Sequence, residues 1–276
     1  MGAEGLLLAG SAGVTAHVAI LARSLELPAV VLSDEQAERL TEQAELILDA
    51  HQGNVFVQPS DEVRARYRAL CELHARQEGG AEEVEPVTHT CDGVRVKLLA
   101  NINLVSDLVA ARTFRAEGVG LYRSEFPFII RTSFPTEEEQ YPVYRRILDE
   151  MDGNEVIFRT LDIGGDKMLD YFPHRRESNP FLGLRAIRFS LRYKDVFVQQ
   201  LRALLRAGAD RDLQIMFPLV ASVDDFQEAR GLVEDCIRQL NQEGLAHHAS
   251  PRLGVMVELP SVVEVEALPK LKRSRR

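Results

Sequence analysis

Several side chains able to grip an anion fall at the ends of predicted strands. Arg123 follows the run G-V-G-L-Y, and Arg159 lies within E-V-I-F-R-T-L-D-I. A guanidinium is planar and can hold phosphate or carboxylate through two parallel hydrogen bonds, so this pair predicts an anionic ligand. Asn101, in A-N-I-N, adds an amide at another strand end. Glu258 ends a further apolar run, and an ionised carboxylate in such surroundings needs a partner, for which a divalent cation is suitable. Ion pairing with Glu125 or Asp162 accounts equally well for either arginine taken singly. The whole set, gathered at strand ends, favours ligand binding. The run I-G-G-D-K at Gly164–Gly165 reads either as a turn or as a backbone nest facing an anion, and it is not a P-loop.

His17 is a different kind of candidate. Gly13, Thr15 and Ala16 precede it and leave its ring accessible, and a predicted helix starts beside it. Amides at a helix start favour a phosphate placed there, so the imidazole could act as a nucleophile toward phosphorus. Taken alone, this histidine is better explained as a structural residue.

The elements that must position these groups form two blocks. Residues 1–60 read as a small α/β unit. Leu6–Leu8, Pro28–Leu32, Leu46–Leu48 and Asn54–Val57 are predicted strands, with a turn at His51–Gly53. A helix is predicted from His17 to Leu25, with Val18, Leu21, Ala22 and Leu25 on one face and Thr15 as its N-cap. Asp61–Gln77 is a polar helix, and the acidic stretch Glu78–Pro86 reads as a linker. From residue 92 apolar strands alternate with amphipathic helices. The strands are Val94–Ile102, Gly118–Phe126, Glu155–Ile163, Leu213–Val220 and Leu253–Pro260; the helices lie around 104–116, 136–151, 181–207 and 223–243. This rhythm predicts a parallel sheet, as a barrel or as a doubly wound sheet. No G-x-G-x-x-G follows any strand, which leaves dinucleotide binding unsupported.

Composition narrows the function classes. The 276 residues, 45% of them hydrophobic, suffice for one large or two modest domains. A net charge of −9 argues against a nucleic-acid partner but leaves room for a small anion in an arginine-lined cleft. Cys71, Cys91 and Cys236 are sparse and unpatterned, so no disulfide framework is indicated; Cys71 with His74 is a weak zinc motif, better read as ordinary residues. No apolar run reaches the roughly 20 residues of a membrane span, and Met1–Ser11 lacks the basic region of a signal peptide. The expectation is a cytoplasmic protein with no membrane partner.

A set of motifs carries a resemblance to a known family. In order these are T-A-H-V-A-I-L-A-R-S-L-E-L-P-A, A-N-I-N, G-V-G-L-Y-R-S-E-F, F-R-T-L-D-I-G-G-D-K, N-P-F-L-G-L-R-A-I-R, I-M-F-P and G-V-M-V-E-L-P. Together they cover nearly the whole chain and resemble phosphoenolpyruvate-protein phosphotransferase, Enzyme I of the bacterial phosphotransferase system, in its nitrogen-related form. The resemblance implies an α/β chain: the C-terminal part of a swivelling phosphohistidine domain (1–77 with its trailing helix), a linker (78–91), and about five of the eight strands of a (β/α)8 TIM-type barrel (92–276). It implies that His17 is phosphorylated on its ring, that Arg123, Arg159 and Arg185 bind phosphoenolpyruvate, and that Glu258 is a Mg2+ ligand. Pyruvate would be released, and the phosphoryl group would pass to a histidine of a small carrier protein. Full-length relatives are homodimeric through the barrel.

The sequence also departs from the family's pattern. Ala12 and Ala16 replace a usual Gly and Ser. The later segments that supply a second metal ligand and an acid cysteine are missing, as is the helical domain that docks the carrier. The expectation is a chain truncated at both ends, with little or no phosphotransfer alone. Two other readings remain: an incomplete fragment that keeps substrate contacts, and a relative of pyruvate phosphate dikinase or phosphoenolpyruvate synthase. The basic tail Lys270–Arg276 reads as a solvated end or as out-of-frame sequence, in preference to a nucleic-acid patch.

Overall fold

The computed structural model describes residues 4–9, 18, 22, 27–41, 43–79, 87–164, 169, 171–172 and 183–263. The chain divides into two compact units, Met1–Glu85 and Pro86–Arg276.

In the first unit, β1 (Leu6–Ala9) and β2 (Ala29–Leu32) pair in parallel, with Leu6 opposite Ala29. Parallel pairing needs a crossover, and Val18 and Ala22 are helical residues within it. Ala22, Leu8, Val30 and Leu32 are buried. A short helix absent from the sequence reading, α1 (Asp34–Ala37), follows, started by a capping box between Ser33 and Gln36. Next, β3 (Leu46–Asp49) and β4 (Asn54–Val57) form an antiparallel hairpin. Asp49 builds its turn: Oδ1 accepts from the amides of His51 (3.1 Å) and Gln52 (3.0 Å), and Oδ2 accepts from the Tyr67 hydroxyl at 2.7 Å. These bonds, that from Gln52 foremost, hold the Asp49 carboxyl below its ordinary range. Tyr67 lies on α2 (Asp61–Gly79).

The second unit opens with a small antiparallel hairpin, β5 (Thr88–His89) with β6 (Arg95–Val96). The strand expected over 94–102 is therefore two pieces, because Val96 pairs backward into this hairpin while β7 (Ala100–Ile102) joins the main sheet. That sheet holds β8 (Gly118–Arg123), β9 (Glu155–Arg159), β10 (Gln214–Phe217) and β11 (Arg252–Val255) in the order β7-β8-β9-β10-β11, all parallel. Strand order follows chain order with no reversal. Right-handed crossovers then carry every connecting helix to the same face, whereas a doubly wound sheet reverses.

The helices on that face are α3 (Asp107–Thr113), α5 (Glu137–Glu150), α7 (Lys194–Ala207) and α8 (Val223–Glu243). Their apolar stripes join Val119, Tyr122, Val156, Phe158, Ile215 and Phe217 of the strands in one core. Capping boxes at Thr136/Glu139 and Ser222/Asp225 start α5 and α8, each contributing about 1 kcal/mol. The helix expected over 181–207 breaks into α6 (Ile187–Arg192) and α7 at Tyr193, whose ring lies 4.7 Å from that of Phe189 and 4.8 Å from that of Phe172. Packing in this second cluster, which includes Phe128, Leu161, Ile163 and Leu169, overrides helical continuity. Phe128 lies on α4 (Phe126–Ile129), another short helix absent from the sequence reading, with a proline in its first turn. Among the described residues no helix is long and apolar enough to cross a membrane.

Candidate functional site

Arg123 and Arg159 are the last residues of β8 and β9, and the register pairs them directly. The residues just before them, Tyr122 and Phe158, are also paired and pack edge-to-face at 5.7 Å in the helix-side core. Side chains alternate along a strand, so the two guanidiniums leave from the opposite face of the sheet. The same row continues through Met216 of β10 to Gly254 of β11.

The two arginines are held differently. Arg159 is buried, 7% exposed, and its Nη2 donates to the Glu125 carboxylate, itself 4% exposed. Asp162 stands 3.4 Å from the same Nη2 and accepts from Arg185 Nε at 3.1 Å. Two carboxylates thus tie Arg159 and Arg185 into one buried chain of alternating charge. Removing one member of such a chain takes away part of the compensation of its neighbours. Arg159 Nε is buried and, among the described residues, has no hydrogen-bond partner. Arg123 is exposed, and among the described residues it has no ion-pair partner. Among the described residues, three guanidiniums and two carboxylates gather near these strand ends.

Backbone geometry delivers Arg185 to this place. Gly164 has φ of +111°, and a Cβ there would lie 2.4 Å from the Leu184 carbonyl oxygen and 2.8 Å from Arg185 Cα. The Ala186 amide donates to Ile163 O at 2.9 Å, so the segment bearing Arg185 is laced to the end of β9. Only a residue without a side chain permits that approach.

Behind the arginines runs a buried polar network. Gln200 of α7 accepts from the Leu161 amide at 2.9 Å through Oε1. Its Nε2 donates to Ser124 Oγ at 3.0 Å and to the Tyr144 hydroxyl at 3.2 Å. Tyr144 donates to Gln140 Oε1 at 2.8 Å, and Gln140 Nε2 donates to Pro135 O at 2.9 Å. Gln200 has no counterpart among the residues singled out from sequence. Its signal was present: a glutamine amid Phe197, Leu201 and Leu204 on the apolar stripe of a helix.

The other sequence candidates are more dispersed. Asn101 is exposed on β7, the strand beside β8. Glu258 is exposed beyond the end of β11, two strands from β9, and its Oε1 accepts from the Leu219 amide at 2.7 Å. Among the described residues no group of three or more His, Cys, Asp or Glu could hold a metal. Glu258 could offer a divalent cation one carboxylate oxygen, with water and ligand oxygens filling the rest of its shell. His17, Gly165, Asp166 and Lys167 lie outside the described residues. Cys71 and Cys91 are exposed, while burial pushes the Cys236 thiol up to about 12.

Residues 77–271 match the family model described as PEP-utilising enzyme, PEP-binding domain, and residues 3–53 match PEP-utilising enzyme, mobile domain. Among similar proteins, the phosphoenolpyruvate-protein phosphotransferase of Geobacillus stearothermophilus is 42% identical over 250 residues, which is 90% of this chain and 43% of that protein. Those of Listeria innocua and Staphylococcus carnosus are each 43% identical over 250 residues, 90% of this chain and 44% of theirs. The chain thus spans less than half the length of these relatives. With both family models matched in order along it, this chain belongs to the PEP-utilising enzymes.

Proposed function

We propose that this chain carries the phosphoenolpyruvate-binding and phosphohistidine parts of a phosphoenolpyruvate-dependent protein phosphotransferase. The observation that supports this most directly is the lateral pairing of Arg123 with Arg159 at the carboxyl ends of adjacent parallel strands. An anion that reaches both guanidiniums would gain charge-assisted hydrogen bonds from each. The five-stranded sheet would be part of a (β/α)8 barrel, a fold that places its ligands at this end of its strands. Residues 1–77 would form the swivelling domain and 78–91 the linker.

In this reading Arg123, Arg159 and Arg185 hold the phosphate and carboxylate of phosphoenolpyruvate, and Asn101 adds an amide contact. The neutral ring of His17 attacks phosphorus. The bond from phosphorus to the enol oxygen breaks, the enolate leaves with the electron pair, and protonation at carbon gives pyruvate. The arginines neutralise charge on the transferring group. Mg2+, held through Glu258 and substrate oxygens, would supply further neutralising charge. The phosphoryl group would then pass to a histidine of a small carrier protein.

The test is incubation of the 276-residue chain with phosphorus-labelled phosphoenolpyruvate and Mg2+. Acid-labile label that disappears in His17→Ala and falls at least tenfold in Arg123→Met supports the proposal. Absence of both label and phosphoenolpyruvate binding rejects it.

A further inference from the structure

We infer that Gln200 is a positioning residue for the anion site, clamping the ends of β8 and β9 so that Arg123 and Arg159 stay abreast. This rests on reading those strand ends as the phosphoenolpyruvate site. Ser124 directly follows Arg123, and Leu161 follows Arg159 by two residues. One carboxamide joins both, through Oε1 to the Leu161 amide at 2.9 Å and through Nε2 to Ser124 Oγ at 3.0 Å.

The clamp has only one workable orientation. A backbone amide can only donate, so it sets the oxygen of Gln200 toward Leu161 and the nitrogen toward the two hydroxyls. At the far end the Pro135 carbonyl can only accept, so Gln140 donates to it and receives the Tyr144 proton. Every bond therefore runs in one direction. Gln200, Ser124 and Tyr144 are each 1% exposed, so water does not compete for these groups. A buried network with both ends determined is held in one arrangement, because a flip of the amide would set its nitrogen against the Leu161 amide, donor against donor, and break that bond.

The clamp also explains where β9 ends. The Leu161 amide is spent on a side chain of α7 rather than on the ladder, which releases the backbone to turn toward Asp162. Asp162 then reaches Arg159 and Arg185 from the loop. The hydrogen bonds of Gln200 go to Leu161, Ser124 and Tyr144 rather than to these charged groups; it sets the spacing of the two loops that carry them.

The experiment compares the parent chain with Gln200→Met, Ser124→Ala and Tyr144→Phe. Tyr144→Phe shortens the network but leaves Gln200 bonded to both strand ends, so it controls for lost stability. Two readouts are taken: the Kd of phosphoenolpyruvate with Mg2+ by calorimetry, and hydrogen exchange of peptides covering residues 120–126 and 158–163. The expected result is a Kd raised about tenfold in Gln200→Met and about threefold in Ser124→Ala, but within twofold of the parent in Tyr144→Phe. Both peptides should exchange faster in the first two variants only. Ser124→Ala removes a single hydroxyl and remains informative if Gln200→Met does not fold. The inference is overturned if exchange in these peptides and affinity are the same in Ser124→Ala and Tyr144→Phe. A parent chain that does not bind phosphoenolpyruvate rejects the functional reading, whereas exchange still decides whether the clamp exists.

Discussion

Arg123 and Arg159 are lateral neighbours at the ends of adjacent parallel strands, yet one is exposed and the other is buried between Glu125 and Asp162. That asymmetry separates two jobs: one guanidinium is fixed by the fold, and its neighbour faces solvent. Arg123→Met should leave thermal stability within about 0.5 kcal/mol of the parent while weakening phosphoenolpyruvate binding at least tenfold. Arg159→Met should cost about 3–5 kcal/mol, because two buried carboxylates lose their shared cation. Chemical denaturation of the two variants side by side checks this, and equal losses would contradict it.

Gly164 should tolerate no side chain. In Gly164→Ala the new methyl meets the Leu184 carbonyl and must adopt a backbone angle that alanine avoids, for a loss of about 1–3 kcal/mol or more. The displaced segment carries Arg185, so phosphoenolpyruvate affinity should fall with stability. A melting temperature unchanged from the parent would show that the approach is looser than described.

Acid should destabilise the second unit. Lys97 and then Gln214 hold the Glu155 carboxyl below its ordinary range; Arg145 and then Arg211 do the same for Asp149, and the Leu98 amide foremost for Glu117. A carboxyl whose pKa is lower folded than unfolded adds stability above its unfolded value, about 4, and loses it as pH falls through the folded value. Through these carboxyls, melting temperature should drop as pH falls below about 4. A rise in stability on acidification would refute the assignment.

The three cysteines should separate cleanly under a thiol reagent. Cys71 and Cys91 are exposed and should react in the native protein, whereas the buried thiol of Cys236 should react only on unfolding. Counting thiols labelled before and after denaturant gives the answer directly. Rapid native labelling of Cys236 would mean that the core around α8 opens.

The parallel sheet and its five strands were legible because apolar runs alternate with amphipathic helices of ordinary length. The hairpin of Thr88–His89 with Arg95–Val96 was not, since two residues on each side leave too short a pattern to separate from the next strand. The break at Tyr193 was invisible because helical periodicity runs straight through it; an aromatic cluster, not local propensity, ends the helix. At the site, arginine type and strand-end position flagged Arg123 and Arg159, and Glu125 and Asp162 were evident as possible counter-ions. The choice between ligand contact and ion pair could not be made from sequence, because it depends on which strand lies beside which. Gln200 shows the limit best: its partners Leu161, Tyr144 and Ser124 are 39, 56 and 76 positions away.

The edge-to-face contact of Tyr122 with Phe158 acts as a ratchet for the charges one step along. Were β8 to slide by one residue against β9, its aromatic ring would swing out of the helix-side core and Arg123 would be driven into it. The orientation of the two cations is therefore written partly in hydrocarbon: two rings with no charge of their own dictate which way they face.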